Sequence, residues 1–64
     1  MTQNRIRQFR EKLGLSQVEL ARRAKIAESN LSAIERGRLA PWPKVKRQLA
    51  KVLKTTQEEL FPGG

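Results

Sequence analysis

Residues 15 to 37 restrict the fold of this 64-residue chain more than any other part. Ser16 is followed three positions later by Glu19, which is the pattern of a capping box at the start of a helix. Small and apolar residues then recur at helical spacing, and a second short helical segment ends at Gly37. The pattern predicts two short amphipathic helices joined by a tight turn.

A first helix is predicted before this pair, from about Gln3 to Leu13. It stops at Gly14, a residue suited to a left-handed cap, and Leu15 supplies the apolar contact that often follows such a cap. The third helix of the chain covers about residues 28 to 36.

Two more helical segments follow the pair. The fourth helix begins near residues 41 to 43, where a proline fits the first helical turn because its missing N–H would be unpaired anyway. The last is a single turn opened by Thr56, with Glu59 at the position of a second capping box. No strand alternation or internal repeat is present. The sequence predicts an all-α class, one domain over residues 1–61 and a tail over 62–64.

The apolar residues at helical spacing predict the core. Leu20 and Val52 flank the apolar stripes, and Leu60 and Phe61 form the apolar end of the last turn. The residues predicted to face the core are Ile6, Phe9, Leu13, Val18, Ala21, Ala24, Ala27, Leu31, Ile34, Val45, Leu49 and Leu53.

Composition narrows the function. Fourteen Lys and Arg against six Asp and Glu give a formal charge of +8, which favours a polyanionic partner, either nucleic acid or an anionic membrane surface. The absence of Cys and His excludes disulfides and the usual transition-metal ligands, so no metal, no cofactor and no enzymatic activity are expected. Without a membrane-spanning run or a signal peptide, a cytoplasmic location is expected.

The third helix has a polar stripe that faces away from the core. At 100° per residue its members lie within roughly 140° of arc. Most of its members have short side chains, whereas a purely solvated helix face usually carries Lys and Glu pairs. Short side chains would let the helix backbone approach the floor of a nucleic-acid groove, so the stripe suits such a groove better than bulk water. The members are Glu28, Ser29, Ser32, Ala33 and Arg36.

Four of these residues can read base edges. Glu28 can accept a hydrogen bond from a cytosine amino group, and Ala33 can touch a thymine methyl. Ser29 and Ser32 carry permissive hydroxyls. The alternative for the whole stripe is a solvated helix face.

Residues 13–21 (LGLSQVELA) and 31–37 (LSAIERG) resemble the Cro/CI-type helix-turn-helix family, also called lambda-repressor-like or XRE. The similarity extends from Ile6 to Phe61. It implies a compact five-helix DNA-binding domain acting in transcriptional control, with the helix-turn-helix at about residues 16–36 and the third helix as recognition helix.

The resemblance also assigns residues. It implies that Arg10 and Glu35 form a structural ion pair between the first helix and the end of the third. A solvated first-turn residue is the alternative for Gln17. The positions matched to phosphate contacts are Ser16, Gln17, Arg36, Arg38 and Lys44, and those matched to base contacts are Glu28, Ser29, Ser32 and Ala33.

Two positions depart from the family pattern. Lys25 stands in the turn where the family usually has glycine, and a left-handed conformation there costs on the order of 1 kcal/mol relative to glycine. Ala27 stands where the recognition helix often has a Ser or Thr N-cap, which loses roughly 1 kcal/mol of capping. Both changes are expected to make the turn and the start of the recognition helix less rigidly held.

The sequence allows two interpretations for the role of some apolar residues. Trp42 is expected to cover the edge of the core near Val45, with contact to DNA sugar or to a second subunit as alternatives. Leu60 and Phe61 are expected to close the core, with dimer contacts as the alternative. The remaining basic residues on outer helix faces are expected to be solvated and to set a positive field; they are Arg22, Arg23, Lys46, Arg47, Lys51 and Lys54.

The predicted partner is therefore double-stranded DNA, bound by a repressor-type homodimer on a near-palindromic operator. No small-molecule site is evident. The alternative is a protein-interaction module of the same fold, antitoxin-like or coactivator-like. A membrane-active peptide is disfavoured because the paired helices carry small residues instead of a bulky apolar face.

Overall fold

Five short helices make up the computed structural model, which describes residues 4–62. They are α1 (Ile6–Lys12), α2 (Gln17–Ala24), α3 (Glu28–Glu35), α4 (Pro43–Val52) and α5 (Gln57–Leu60). Between residues 4 and 62 there is no strand, and no helix there is long and apolar enough to cross a membrane. The predicted all-α class with five helices is confirmed. The predicted helix start at Gln3 and the last two residues of the predicted tail lie outside the described residues.

Helix α2 packs against both α3 and α4, and α4 packs against α5. Ala21 and Ala24 are buried on α2, and their small side chains allow the neighbouring helices to approach closely. A single core results, formed by Ile6, Leu15, Leu20, Ala21, Ala24, Leu31, Ile34, Val45, Leu49, Ala50, Leu53, Leu60 and Phe61.

Helix α1 is shorter than predicted because the chain before it is held elsewhere. The Asn4 side chain donates to the carbonyl of Ile34 at 2.8 Å and accepts from the N–H of Ile6 at 3.3 Å. The N–H of Arg5 donates to the carbonyl of Leu60 at 2.8 Å. These bonds tie the start of α1 to the ends of α3 and α5, so the helix begins only at Ile6.

The end of α1 corrects one predicted core residue. Leu13 is 44% exposed, whereas Leu15 is buried. Gly14 has the predicted left-handed conformation, with φ at +72°, and Leu15 N donates back to the carbonyl of Arg10 at 3.0 Å. Because the chain reverses at Gly14, it carries Leu15 inward and leaves Leu13 on the surface.

Two further predicted core residues are wrong. Val18 is 45% exposed, and Leu20 takes its place with no exposed surface. The buried face of α2 is turned toward α3 and α4, so Leu20, Ala21 and Ala24 lie inside together. Ala27 is exposed because it precedes α3 in an extended conformation and is not on the apolar face of that helix.

The C-terminal elements close the core. Leu60 has no exposed surface and Phe61 is 8% exposed, so both serve the core of the single chain, and Leu60 offers no surface to a second subunit. The ammonium of Lys46 lies 5.7 Å from the centroid of the Phe61 ring.

Thr56 caps α5 by accepting from Glu59 N at 3.1 Å, but Glu59 turns toward Arg5, with the charged atoms 3.9 Å apart. The predicted second capping box is thus only half formed.

Lys25 ends α2 in the left-handed region, with φ at 59° and ψ at 45°. The conformation lets the N–H of Ile26 donate to the carbonyl of Ala21 at 3.0 Å, which satisfies an otherwise unpaired carbonyl at the helix end. The turn between α2 and α3 therefore exists without glycine, at the energetic cost of a side chain in this region.

We expect Lys25→Gly to raise the free energy of unfolding by up to about 1 kcal/mol, since glycine adopts this conformation without a Cβ penalty. Thermal unfolding followed by circular dichroism measures the change, and 1 kcal/mol corresponds to about 4–8 °C for a domain of this size. Lys51→Gly is the matched control, because the same substitution inside α4 removes about 1 kcal/mol of helix stability. A lower melting temperature for both variants would contradict the strain at Lys25.

Candidate nucleic-acid interface

The start of α2 is fixed by a capping box. Ser16 Oγ accepts from Glu19 N at 3.1 Å, and Ser16 N donates to Glu19 Oε1 at 3.3 Å. Two otherwise unpaired N–H groups are satisfied in this way, as the sequence predicted. The box places Gln17 in the first turn of α2 with its side chain half-buried.

Helix α3 presents the predicted polar stripe on the outside of the molecule. Leu31 and Ile34 have no exposed surface, which fixes the rotation of the helix about its axis. Glu28, Ser29 and Arg36 are exposed, and Ser32 and Ala33 are half-buried on the same side. The stripe thus consists of short side chains between the carboxylate of Glu28 and the guanidinium of Arg36.

Glu28 stands in the first turn of α3, whose N-cap, Ala27, makes no side-chain hydrogen bond. A carboxylate there is favoured by the helix dipole, typically by 0.3–1 kcal/mol, so Glu28 partly replaces the missing cap. This structural role accounts for an acidic residue at the start of the stripe without any partner. Base reading by Glu28 stays a prediction beside it.

Gly37 controls the end of α3. With φ at +76°, it lets Gly37 N donate to the carbonyl of Ile34 at 3.0 Å and Arg38 N to that of Ala33 at 2.9 Å. The chain turns sharply, and Arg36 and Arg38 stay exposed on either side of the glycine. Lys44 follows, exposed, in the first turn of α4.

One carboxylate joins three helices below this surface. Glu35 is 5% exposed, and its Oε2 accepts from Arg10 Nε at 3.0 Å. Its Oε1 accepts from Gln17 Nε2 at 3.1 Å and from Arg10 Nη2 at 3.4 Å. A further Arg10 nitrogen, Nη1, donates to the carbonyl of Leu15 at 2.9 Å. The ion pair that the resemblance implied is formed, and it holds α1, the start of α2 and the end of α3 together.

Gln17 is not simply a solvated first-turn residue. The bond to Glu35 holds its amide in one orientation. Glu19 N is satisfied by Ser16, so the backbone N–H groups of Gln17 and Val18 are the ones that the helix geometry leaves without an intrahelical partner. A helix start of this kind suits an anion such as a phosphate. Gln17 is therefore compatible with the predicted phosphate contact, which stays a prediction, and its amide is held by Glu35.

An open cleft of about 360 Å³ lies at this junction, lined by Asn4, Arg7, Arg10, Gln17, Glu35 and Arg36. It brings together Gln17 and Arg36, two of the five predicted phosphate contacts, whereas Ser16, Arg38 and Lys44 do not line it. No role was predicted from the sequence for Asn4 or Arg7. Arg7 lies one turn before Arg10, so the spacing of the two arginines was a usable signal, whereas nothing local marks Asn4.

Trp42 is 42% exposed and does not belong to the buried core, so its predicted place over the edge of the core stays a prediction. Its backbone is extended at the N-cap of α4, so its side chain is not carried by the apolar face that begins at Val45. The side chain lies on the surface between Arg38 and Lys44 in the chain.

Comparisons with known proteins agree with this geometry. The family model described as Helix-turn-helix domain matches residues 4–61. An uncharacterized HTH-type transcriptional regulator of Archaeoglobus fulgidus is 33% identical over 57 residues, which cover 89% of this chain and 81% of the relative. A second regulator of the same organism is 32% identical over 57 residues, covering 89% of this chain and 80% of the relative.

Three solved structures have the same fold. A chain of the SinR protein/SinI protein complex is 34% identical with a TM-score of 0.88; the match covers 98% of this chain and only 62% of that one. The N-terminal DNA-binding domain of SinR from Bacillus subtilis is 36% identical with a TM-score of 0.80, over 84% of this chain and 80% of that one.

The third structure is SinR, the master regulator for biofilm formation, in complex with DNA. It is 36% identical with a TM-score of 0.81, over 91% of this chain and 94% of that one. The family model, the relatives and the folds converge on one assignment. The chain belongs to the Cro/CI-type helix-turn-helix family.

Proposed function

We propose that this chain is a sequence-specific, double-stranded DNA-binding transcriptional regulator of repressor type, with α3 lying in the major groove. The observation that carries the proposal is the polar stripe of mostly short side chains on the outer side of α3, which ends at Arg36 and is followed by the exposed Arg38. It is supported by relatives that are named HTH-type transcriptional regulators and by a similar fold solved in complex with DNA. A DNA-associated, cytoplasmic location goes with this role.

The contacts divide by chemistry. Side chains on the stripe meet base edges and give specificity, whereas cations and helix N–H groups meet phosphates and set the position of the protein on the duplex. We assign base contacts to Glu28, Ser29, Ser32 and Ala33. We assign phosphate contacts to Ser16, Gln17, Arg36, Arg38 and Lys44.

A homodimer on a near-palindromic operator completes the proposal. Two copies of α3 would then enter successive major grooves about 34 Å apart. Since Leu60 and Phe61 are used by the core of each chain, the subunit contact is expected on other residues.

Selection from a random duplex pool, followed by sequencing, tests the function directly. We expect one motif with two related half-sites, and affinity for the selected duplex that exceeds that for a scrambled duplex and falls steeply with salt. Affinity that neither depends strongly on salt nor separates the two duplexes would refute the proposal.

The same selection tests the role of Glu28. Glu28→Gln keeps the shape of the side chain and adds an amide donor, so the preferred base is expected to change at one position in each half-site, with a discrimination of about 1–3 kcal/mol. Ser29 and Ser32 positions should keep their preferences. A selected motif identical to that of the wild type would assign Glu28 to the helix dipole alone.

A protein partner is the second candidate, because one similar structure is a chain of a complex between two proteins, SinR and SinI. In that case a stoichiometric protein partner would be recovered with the chain from its own organism, and the chain would show no preference among duplexes. A motif from the selection experiment favours the DNA role over this one.

A further inference from the structure

The charge of the chain is concentrated in one segment. Residues 36–57 contain no Asp or Glu and seven of the fourteen Lys and Arg residues. The net charge of this segment is nearly that of the whole chain, which is +8. The seven basic residues are Arg36, Arg38, Lys44, Lys46, Arg47, Lys51 and Lys54.

Three arginines in residues 5–10 differ from the basic residues of this segment. Arg5, Arg7 and Arg10 each pair with a carboxylate, of Glu59, Glu11 and Glu35 respectively. Within residues 4–62, none of the ion pairs involves a residue of α4. The α4 cations are therefore left to compensate an external charge or to stay in water.

Three of these cations share one face of α4. At 100° per residue, Lys44, Arg47 and Lys51 fall within roughly 60° of arc, and all three are exposed. Val45, Leu49 and Leu53 lie on the opposite side and are buried. Lys46 is turned away toward Phe61. We call Lys44, Arg47 and Lys51 the α4 basic face.

The spacing of the α4 basic face matches a nucleic-acid backbone. Lys44 and Lys51 are seven residues apart, which is about 10 Å along a helix. Four successive phosphates of one DNA strand span about the same axial length, in three steps of about 3.4 Å. The face carries no apolar or aromatic residue, whereas the centre of a protein–protein interface is enriched in them and depleted of charge. Phosphates fit this face better than an acidic protein does.

We propose that Arg47 and Lys51 extend the protein's contact with the DNA backbone beyond the base pairs that α3 reads. The inference rests on the proposed DNA-binding function, in which Lys44 at the start of α4 already contacts a phosphate. The α4 basic face then continues from that contact along the flanking duplex. These contacts raise affinity without adding sequence preference, because phosphates carry no base information.

The experiment compares the wild type with Arg47→Gln/Lys51→Gln on the selected operator with ten flanking base pairs on each side. Each phosphate contact contributes about 0.9 to the slope of log K against log salt, so the slope of the double variant is expected to fall by about 2 per bound chain. The preferred motif should stay unchanged. Arg22→Gln/Arg23→Gln is the matched control, since it removes the same charge from exposed positions on α2 and should change the slope less.

Trimming the duplex to the selected motif locates the contacts. On the trimmed duplex the double variant and the wild type should give the same slope. Equal slope changes for the two double variants, or a difference that persists on the trimmed duplex, would overturn the proposal. If the wild type fails to distinguish selected from scrambled duplex, the proposed function fails instead, and the two double variants are still compared on the scrambled duplex.

Discussion

Replacing Arg10 by methionine is expected to lower the free energy of unfolding by about 3–5 kcal/mol, because it leaves a buried carboxylate without its cation. Glu35 is 5% exposed, and in the variant only the Gln17 amide would still donate to it. The carbonyl of Leu15 would lose its bond from Arg10 as well. Urea unfolding followed by circular dichroism measures the change.

The expected loss is comparable to the whole stability of a domain of this size, which is on the order of 3–10 kcal/mol. Arg7→Met on the same helix is the matched control. The Arg7–Glu11 pair is exposed, with side-chain exposures of 74% and 58%, so its loss should change stability by less than about 0.5 kcal/mol. If Arg10→Met and Arg7→Met lowered the free energy of unfolding by similar amounts, the buried ion pair would contribute no more to stability than the exposed one.

A double substitution keeps this prediction testable if Arg10→Met does not fold. Arg10→Met/Glu35→Leu removes both charges, and replacing a buried ion pair by apolar residues is often neutral or stabilising. The double variant should therefore be more stable than Arg10→Met alone. If it is equally unstable, packing and not charge is the reason for the loss.

Ala33→Glu is expected to weaken binding to the selected duplex by about 100-fold, or ~2.7 kcal/mol, while the chain stays folded. Ala33 is half-buried on the polar stripe of α3, so a longer acidic side chain would hold the helix away from the groove and face its negative potential. Fluorescence anisotropy with a labelled operator measures the affinity, and a melting curve checks the fold.

Gln57→Glu is the control for this substitution. Gln57 is exposed at the start of α5, and the change adds the same negative charge outside the proposed interface. Its affinity should stay within a factor of about 2 of the wild type. If both variants lost affinity equally, the effect would come from net charge, and α3 would have no direct contact with the duplex.

Local signals explain what the sequence predicted correctly. The capping box of Ser16 and Glu19 and the left-handed Gly14 depend on residues within one turn of each other. The exposed stripe of α3 follows from helical periodicity once Leu31 and Ile34 face inward. These features do not depend on distant parts of the chain, so the predicted bounds of the second and third helices lie close to the observed ones.

Several of the failures involve contacts between distant residues. Val18 lies three residues before Ala21 and Leu20 lies four residues before Ala24, so either residue fits an apolar stripe at helical spacing. Only the packing of α3 and α4 on α2 decides which of the two is buried. Glu59 pairs with Arg5 instead of completing its box. The bond from Gln17 to Glu35 spans 18 positions, so no short motif could reveal it.

Trp42 gives the chain an internal optical probe. It is the only tryptophan, and there is no tyrosine. Because its side chain lies where the connection between α3 and α4 ends and is 42% exposed, its emission reports on that connection. Quenching or a spectral shift on addition of duplex would therefore follow docking of this edge without any attached label.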